Sequence, residues 1–268
     1  MTPHALAELR DARHRLERSS FAARVTRVFD APIARGLARL PPHWSSSVAN
    51  ATHVALTKAL VTAIATIDPG RLKRPSNLMH KVAAAATGAA GGAFGLVALP
   101  IELPVSTAVM LRSIADVARS EGERIETVDA RLACLEVFAL GGSTPAHTGE
   151  PRYFAVRVAL ARAVTEAAEF IAERGLVREG APAIVRLIAQ IASRFGAAVS
   201  EKAAAQAIPL IGAAGGALVN LMFIDHFQDL ARGHFVVRRL ERVYGADVVR
   251  DAYTLALSAP GTSSDVRL

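Results

Sequence analysis

Two long stretches of this sequence carry no charged residue and are rich in glycine and alanine. They span residues 82–101 and 203–224. As helices, both are long enough to cross the hydrocarbon core of a bilayer, which takes about 20 residues. Alanine favours helix, and no stretch alternates polar with β-branched residues. The sequence therefore predicts an all-α fold, a single multi-helix bundle around these two apolar segments as central helices.

The composition of the two segments favours close packing as well as insertion. Alanine and glycine contribute little to membrane insertion compared with leucine, isoleucine, phenylalanine or valine. Small residues four apart let two helix backbones approach closely, and each interior glycine costs about 0.5–1 kcal/mol relative to alanine. Three interpretations stay open: a buried helix pair in a soluble bundle, a pair that inserts into a membrane, and a backbone surface that holds a ligand. The glycines predicted to pack are Gly88, Gly91, Gly92, Gly95, Gly212, Gly215 and Gly216.

Glycine and proline divide the rest of the chain into helices. We expect Pro100 and Pro104 to kink or break the helix in which they lie. The predicted organisation is a basic amphipathic N-terminal segment over 1–45, a helical domain over 46–258 and a flexible tail over 259–268. Within it the predicted helices span 46–67, 105–121, 128–140, 153–174, 182–206, a stretch ending near 245, and 246–258.

The N-terminal segment places leucines at helical spacing among many arginines. Such a helix either packs its leucine stripe on the domain or lies on an anionic bilayer. The formal net charge of +7 suits anionic partners. The arginines are dispersed with few aromatic residues between them, so no nucleic acid is expected as a partner. The N-terminus has no apolar signal region, which predicts a cytoplasmic protein, peripheral to or inserted at the inner face of the cell membrane.

Acidic and imidazole groups next to the apolar segments are the candidates for chemistry. Asp225 and Asp229 lie one helical turn apart with His226 between them. No Glu-x-x-His pair, HExxH, CxxC, P-loop or GxSxG occurs, so we predict no metal and no cofactor, and the sequence identifies no catalytic residue. The alternative to a ligand-binding site is that these acidic groups form ion pairs with Arg112, Arg119, Arg232, Arg238 or Arg239. His234 is expected at an interface or surface. The full set of candidate ligand-binding residues is Glu102, Arg112, Asp116, Asp225, His226 and Asp229.

A short internal match links the two apolar segments. The hexapeptide GAAGGA occurs at 88–93 and at 212–217, and DVAR at 116–119 resembles DLAR at 229–232. A true repeat would predict two helices that meet in a pseudo-symmetric way. Chance similarity between alanine- and glycine-rich segments is the alternative.

Three blocks of the sequence, residues 95–123, 129–142 and 208–245, resemble the EcsC-like family. The resemblance extends over about residues 50–250. The family is similar to a protein encoded beside the ATPase and membrane subunits of an ABC transporter, and it brings no catalytic residues to carry over. The biochemical role of that family is not established, so the resemblance bears on the fold more than on the function.

Two functions remain as hypotheses. The first is a non-catalytic, membrane-associated helical accessory protein, linked to an ABC-type transport system, with anionic membrane lipid and a transporter or other membrane protein as partners. The second is a soluble helical enzyme or a ligand- or metal-binding protein, with its site at Glu102, Asp225, His226 and Asp229.

Overall fold

The described part of the chain is built from helices. A computed structural model describes residues 1–17, 20–30, 33–65, 99–142, 151–174, 181–207 and 212–258, and no strand occurs within them. The prediction of an all-α fold is confirmed. The helices are α1 (Pro3–Glu17), α2 (Phe21–Phe29), α3 (Ile33–Leu37), α4 (Trp44–Ala65), α5 (Leu99–Ser120), α6 (Val128–Leu140), α7 (Arg152–Arg174), α8 (Pro182–Gln206), α9 (Gly212–Tyr244) and α10 (Ala246–Ser258).

Local signals explain most helix ends. The Thr127 hydroxyl accepts a hydrogen bond from the Ala130 N–H at 3.3 Å and so caps the start of α6. Proline occupies the first position of α8, where its missing N–H is not needed. Gly245, with φ of +90°, separates α9 from α10 in a conformation that glycine adopts at little cost.

Proline does not break α5, contrary to the sequence-based expectation. The helix starts at Leu99 and continues through Pro104 to Ser120. Pro100 lies in the first turn, where backbone N–H groups have no partner inside the helix. Pro104 removes one further backbone hydrogen bond, which the packing of α5 against α4 and α9 outweighs.

The N-terminal helix α1 packs on the protein with its apolar stripe. Ala5, Leu9, Ala12 and Leu16 recur at helical spacing and are all buried. The stripe contacts α9, where Gly233 allows close approach: a Cβ added there would lie 2.8 Å from the Ala12 carbonyl oxygen. For α1, the packing alternative therefore describes the structure.

Helices α5 and α9 run parallel to each other. Contacts between them follow the same order in both sequences: the Gln228 amide donates to the Ser113 hydroxyl at 2.6 Å, and the later Arg239 donates to the later Glu121 at 2.8 Å. The beginnings of α5 and α9 therefore lie at the same end of the bundle.

That end also holds the last turns of α8 together with α2 and α3. Phe21 of α2 packs edge-on against Phe223 of α9, with ring centroids 5.1 Å apart. Gly36 of α3 lies so close to the Ala204 carbonyl of α8 that a Cβ would overlap it. We call this region the apolar end, defined by α2, α3, the starts of α5 and α9, and the last turns of α8.

The structure describes most of the second of the two apolar segments but little of the first. Residues 82–98 lie outside the described residues, as does the predicted tail at 259–268. The second segment does not form one helix, since α8 ends at Gln206 and α9 begins at Gly212. Among the described helices, only α8 is long and apolar enough to cross a membrane, judged by length and composition alone.

Candidate functional site

Glu102 lies in the first turn of α5 and forms a buried ion pair with Lys202 of α8. The Lys202 Nζ is 2.6 Å from Glu102 Oε1, and the two side chains are 0% and 4% exposed. The ammonium group also lies over the Phe223 ring, 5.2 Å from its centroid. Burial lowers the pKa of Lys202, and the Glu102 carboxylate opposes that shift. This carboxylate is thus occupied by a structural partner from another helix.

Asp229 joins three arginines from three helices. Its two carboxylate oxygens accept hydrogen bonds from Arg15 of α1 at 3.1 Å, Arg24 of α2 at 3.2 Å and Arg232 of α9 at 3.3 Å. All four side chains are partly exposed, between 20% and 35%. These ion pairs link α1 and α2 to α9.

Asp116 pairs with an arginine on its own helix. The Asp116 side chain, 2% exposed, lies 3.4 Å from the Arg119 guanidinium three residues later. Asp229 and Arg232 repeat this spacing, so the matching DVAR and DLAR sequences make the same ion pair on the two parallel helices. Arg112, the remaining candidate on α5, is exposed.

His226 is buried between α9 and its neighbours. It is 6% exposed, and its ring contacts Phe227 and Phe21, with centroids 5.4 and 6.1 Å away. Burial lowers the pKa of His226 to about 4, and the positive charges of Arg24 and Arg152 act in the same direction. The imidazole is therefore neutral at pH 7. Asp225, one residue earlier, is half-buried.

The candidate residues do not converge on one point. Glu102 is held at Lys202, whereas Asp229 and His226 lie further along α9 beside α1 and α2. Among the described residues, no three His, Cys, Asp or Glu side chains come together as a metal ion would need. What the structure brings together is His226, Asp229 and a set of arginines.

Several partners were not predicted from the sequence. Lys202, Arg15 and Arg24 bind the predicted acidic residues from other helices. The one available signal was that Glu102 stands alone in a largely apolar stretch, where a charge needs an opposite charge. His234 is fully buried rather than at a surface, and the Tyr153 hydroxyl lies 3.0 Å from its Nδ1.

The predicted packing glycines are described only in part. Gly88, Gly91, Gly92 and Gly95 lie outside the described residues. Gly212 begins α9, Gly215 is half-buried and Gly216 is buried. Close approaches of another chain segment occur at glycines that were not predicted, namely Gly36, Gly141, Gly142 and Gly233.

Comparison with known proteins places the chain in a family. The family model described as the EcsC protein family matches residues 4–240. This chain belongs to the EcsC protein family. The match begins inside α1, so in this EcsC protein the N-terminal helices lie within the family's own region. No curated protein and no solved structure matches the chain.

Proposed function

We propose that this EcsC protein is a non-catalytic, membrane-associated helical protein on the cytoplasmic face of the cell membrane, where it serves as an accessory to a transport system. In this proposal its apolar end faces an anionic lipid surface. The single observation that carries the proposal is the exposure of large apolar side chains there: Ile101 is 77% exposed, directly beside the buried Glu102.

Other apolar side chains at the same end support a lipid contact. Val105 follows Ile101 by one turn on α5 and is 47% exposed, and Leu218 near the start of α9 is 41% exposed. Along the chain, α5 begins within the last three residues of the uncharged run 82–101. Contiguous exposed apolar surface marks sites that contact a membrane or another protein.

Charge at this end favours an anionic surface. Residues 20–45 contain four arginines and one aspartate. Arg27, Arg35 and Arg39 of this stretch are exposed. A basic residue close to an anionic membrane contributes about 1 kcal/mol to binding. Exposed arginines beside exposed apolar groups suit the boundary between headgroups and acyl chains.

Vesicle flotation tests the proposal. We expect the purified full chain to float with phosphatidylcholine vesicles that contain phosphatidylglycerol, and to float less as salt increases, because salt screens the arginines. Replacing Ile101 and Val105 by serine removes about 1 kcal/mol or more of apolar contact, so partitioning should fall about fivefold or more.

The matched control changes two valines elsewhere whose exposed fractions fall between those of Ile101 and Val105. Val158 on α7 and Val243 near the end of α9 are 61% and 66% exposed. The variant V158S/V243S should partition like the wild type. A wild-type protein that stays unbound at low salt, or equal losses in both double variants, would refute the proposed orientation.

A further inference from the structure

Helix α2 is amphipathic, and its apolar side faces the protein. Phe21 and Val25, one turn apart, have no exposed surface, and the Phe21 ring packs edge-on against Phe223 of α9. On the other side of the helix, Arg27 and Val28 are exposed. Basic amphipathic helices bind an anionic bilayer with their apolar side among the acyl chains. In this structure that side of α2 is covered by the protein's own helices.

Two acidic side chains hold α2 through polar contacts. The Glu201 carboxylate of α8 accepts a hydrogen bond from the Ala22 backbone N–H at 2.9 Å, and Asp229 of α9 accepts one from Arg24 at 3.2 Å. Asp229 and Arg24 are 20% and 28% exposed, and two other arginines share the same carboxylate. Ion pairs that water reaches contribute little to stability. The ion pair is therefore a weak hold on α2.

The neighbours of α2 in the chain are held by close packing. The apolar stripe of α1 is buried on α9, and Gly36 of α3 lies against the backbone of Ala204 of α8. Three residues separate α2 from α1, and three separate it from α3. When extended, such a link spans up to about 14 Å. A helix is about 10 Å across, so α2 can turn over while α1 and α3 stay in place.

Release of α2 from α9 would change what the helix offers to a membrane. A surface shifts such an equilibrium only if it binds one state better than the other. Docked α2 offers a membrane only its outer side, whereas released α2 places Phe21 and Val25 among acyl chains and Arg24 among headgroups. Hydrocarbon then replaces the apolar contacts with α9, and several phosphates replace one shared carboxylate. Released α2 thus has the higher affinity for an anionic bilayer.

We propose that α2 is a strap that an anionic membrane releases from α9. Without lipid the strap stays docked, with its apolar side covered and Arg24 paired with Asp229. At the membrane the strap turns its apolar side to the lipid, while α1 and α3 hold its two ends. This inference rests on the proposed contact between the apolar end and lipid, because α2 belongs to that end, and it specifies how the contact is strengthened.

Fluorescence quenching by brominated lipid tests the strap in the full chain. Trp44 is the one tryptophan of the sequence, so W44F/F21W carries a single reporter on the buried side of α2. In vesicles of brominated phosphatidylcholine and phosphatidylglycerol, bromines in the acyl chains quench a tryptophan that lies among them. The matched control is W44F/F138W, because Phe138 is also fully buried but lies on α6. We expect roughly threefold or more quenching in W44F/F21W relative to this control.

The variant D229N gives a second readout by a different route. Without the Asp229 charge the strap is held less tightly, so binding to the same vesicles should increase. D30N is the matched control, because it also removes one negative charge, at the exposed residue that ends α2. We expect the partition coefficient to rise roughly threefold or more in D229N relative to D30N.

The outcomes separate the strap from the membrane contact on which it rests. If the protein floats with the vesicles but W44F/F21W is quenched no more than W44F/F138W, the strap is overturned and the membrane contact stands. Equal partitioning of D229N and D30N would also overturn the strap. A chain that does not float at all would refute both the membrane contact and the strap.

Discussion

At the scale of single residues, Lys202 shows that the two members of an ion pair can lie far apart in the sequence. Its ammonium group has no exposed surface and is paired with a carboxylate one hundred positions away in the chain. The sequence marks Glu102 as a candidate because it stands alone beside an apolar run. Which cation it meets depends on how α5 and α8 pack, and no local pattern encodes that. Residue types were therefore predictable, whereas their pairing was not.

Removing one member of this pair should be much worse than removing both. In K202M the Glu102 carboxylate remains buried without its partner, which costs about 3–5 kcal/mol. In the double variant E102Q/K202M no charge is left in the site, so most of that loss should be recovered. Urea unfolding of the wild type, both single variants and the double variant measures the coupling. Losses that simply add would show that the pair is not coupled.

At the scale of helices, ends are predictable where a local signal sets them. The predicted starts of α6, α8 and α10 agree with the structure because Thr127 caps α6, a proline opens α8 and Gly245 precedes α10. Pro104 shows the limit of such signals. A proline breaks a helix when it lies in the interior but is tolerated near the first turn, and the sequence does not show where the helix starts. Contacts between helices, such as α1 on Gly233, depend on the fold as a whole.

Two helical glycines provide a direct test of close packing. A Cβ at Gly233 would lie 2.7 Å from Leu16 Cγ and 2.8 Å from the Ala12 carbonyl oxygen, whereas at Gly196 of α8 it would meet nothing within 4 Å. We expect G233A to destabilise the protein by about 1–3 kcal/mol through overpacking. G196A should stabilise it by about 0.5–1 kcal/mol through helix propensity. Thermal unfolding measures both, and a stabilising G233A would refute the close contact between α1 and α9.

At the scale of the whole molecule, the arrangement of the helices decides what the sequence features mean. The all-α fold and the family were predictable from composition and from three sequence blocks. The parallel course of α5 and α9 was not predicted, since the weak internal match predicted only that two helices meet in a pseudo-symmetric way. The structure shows the Asp-x-x-Arg pairs of that match on both helices. The gathering of α2, α3, α5, α8 and α9 at one end involves segments far apart in the chain, and no periodicity reveals it.

The stability of the whole protein should fall as the solution becomes acidic. Burial lowers the pKa of His226 to about 4, from 6.5 in the unfolded chain, so below pH 6.5 the unfolded state binds a proton that the folded state excludes. Between about pH 6.5 and 4 this residue alone should cost about 3 kcal/mol. Urea unfolding at several pH values should show a shallower slope in H226Q. The exposed control H53Q should follow the wild type, and an unchanged slope in H226Q would contradict the assignment.

The contact between α1 and α9 has a consequence for how the protein is made. Arg15 and Asp229, which join the two helices, are 214 positions apart in the chain. Ribosomes add roughly 5–20 residues per second, so the leucine stripe of α1 waits roughly 10–40 s for the helix that will cover it. During that interval the apolar stripe of α1, which is buried in the folded protein, is not yet covered by α9. Chaperones therefore have access to the apolar stripe of α1 before α9 covers it.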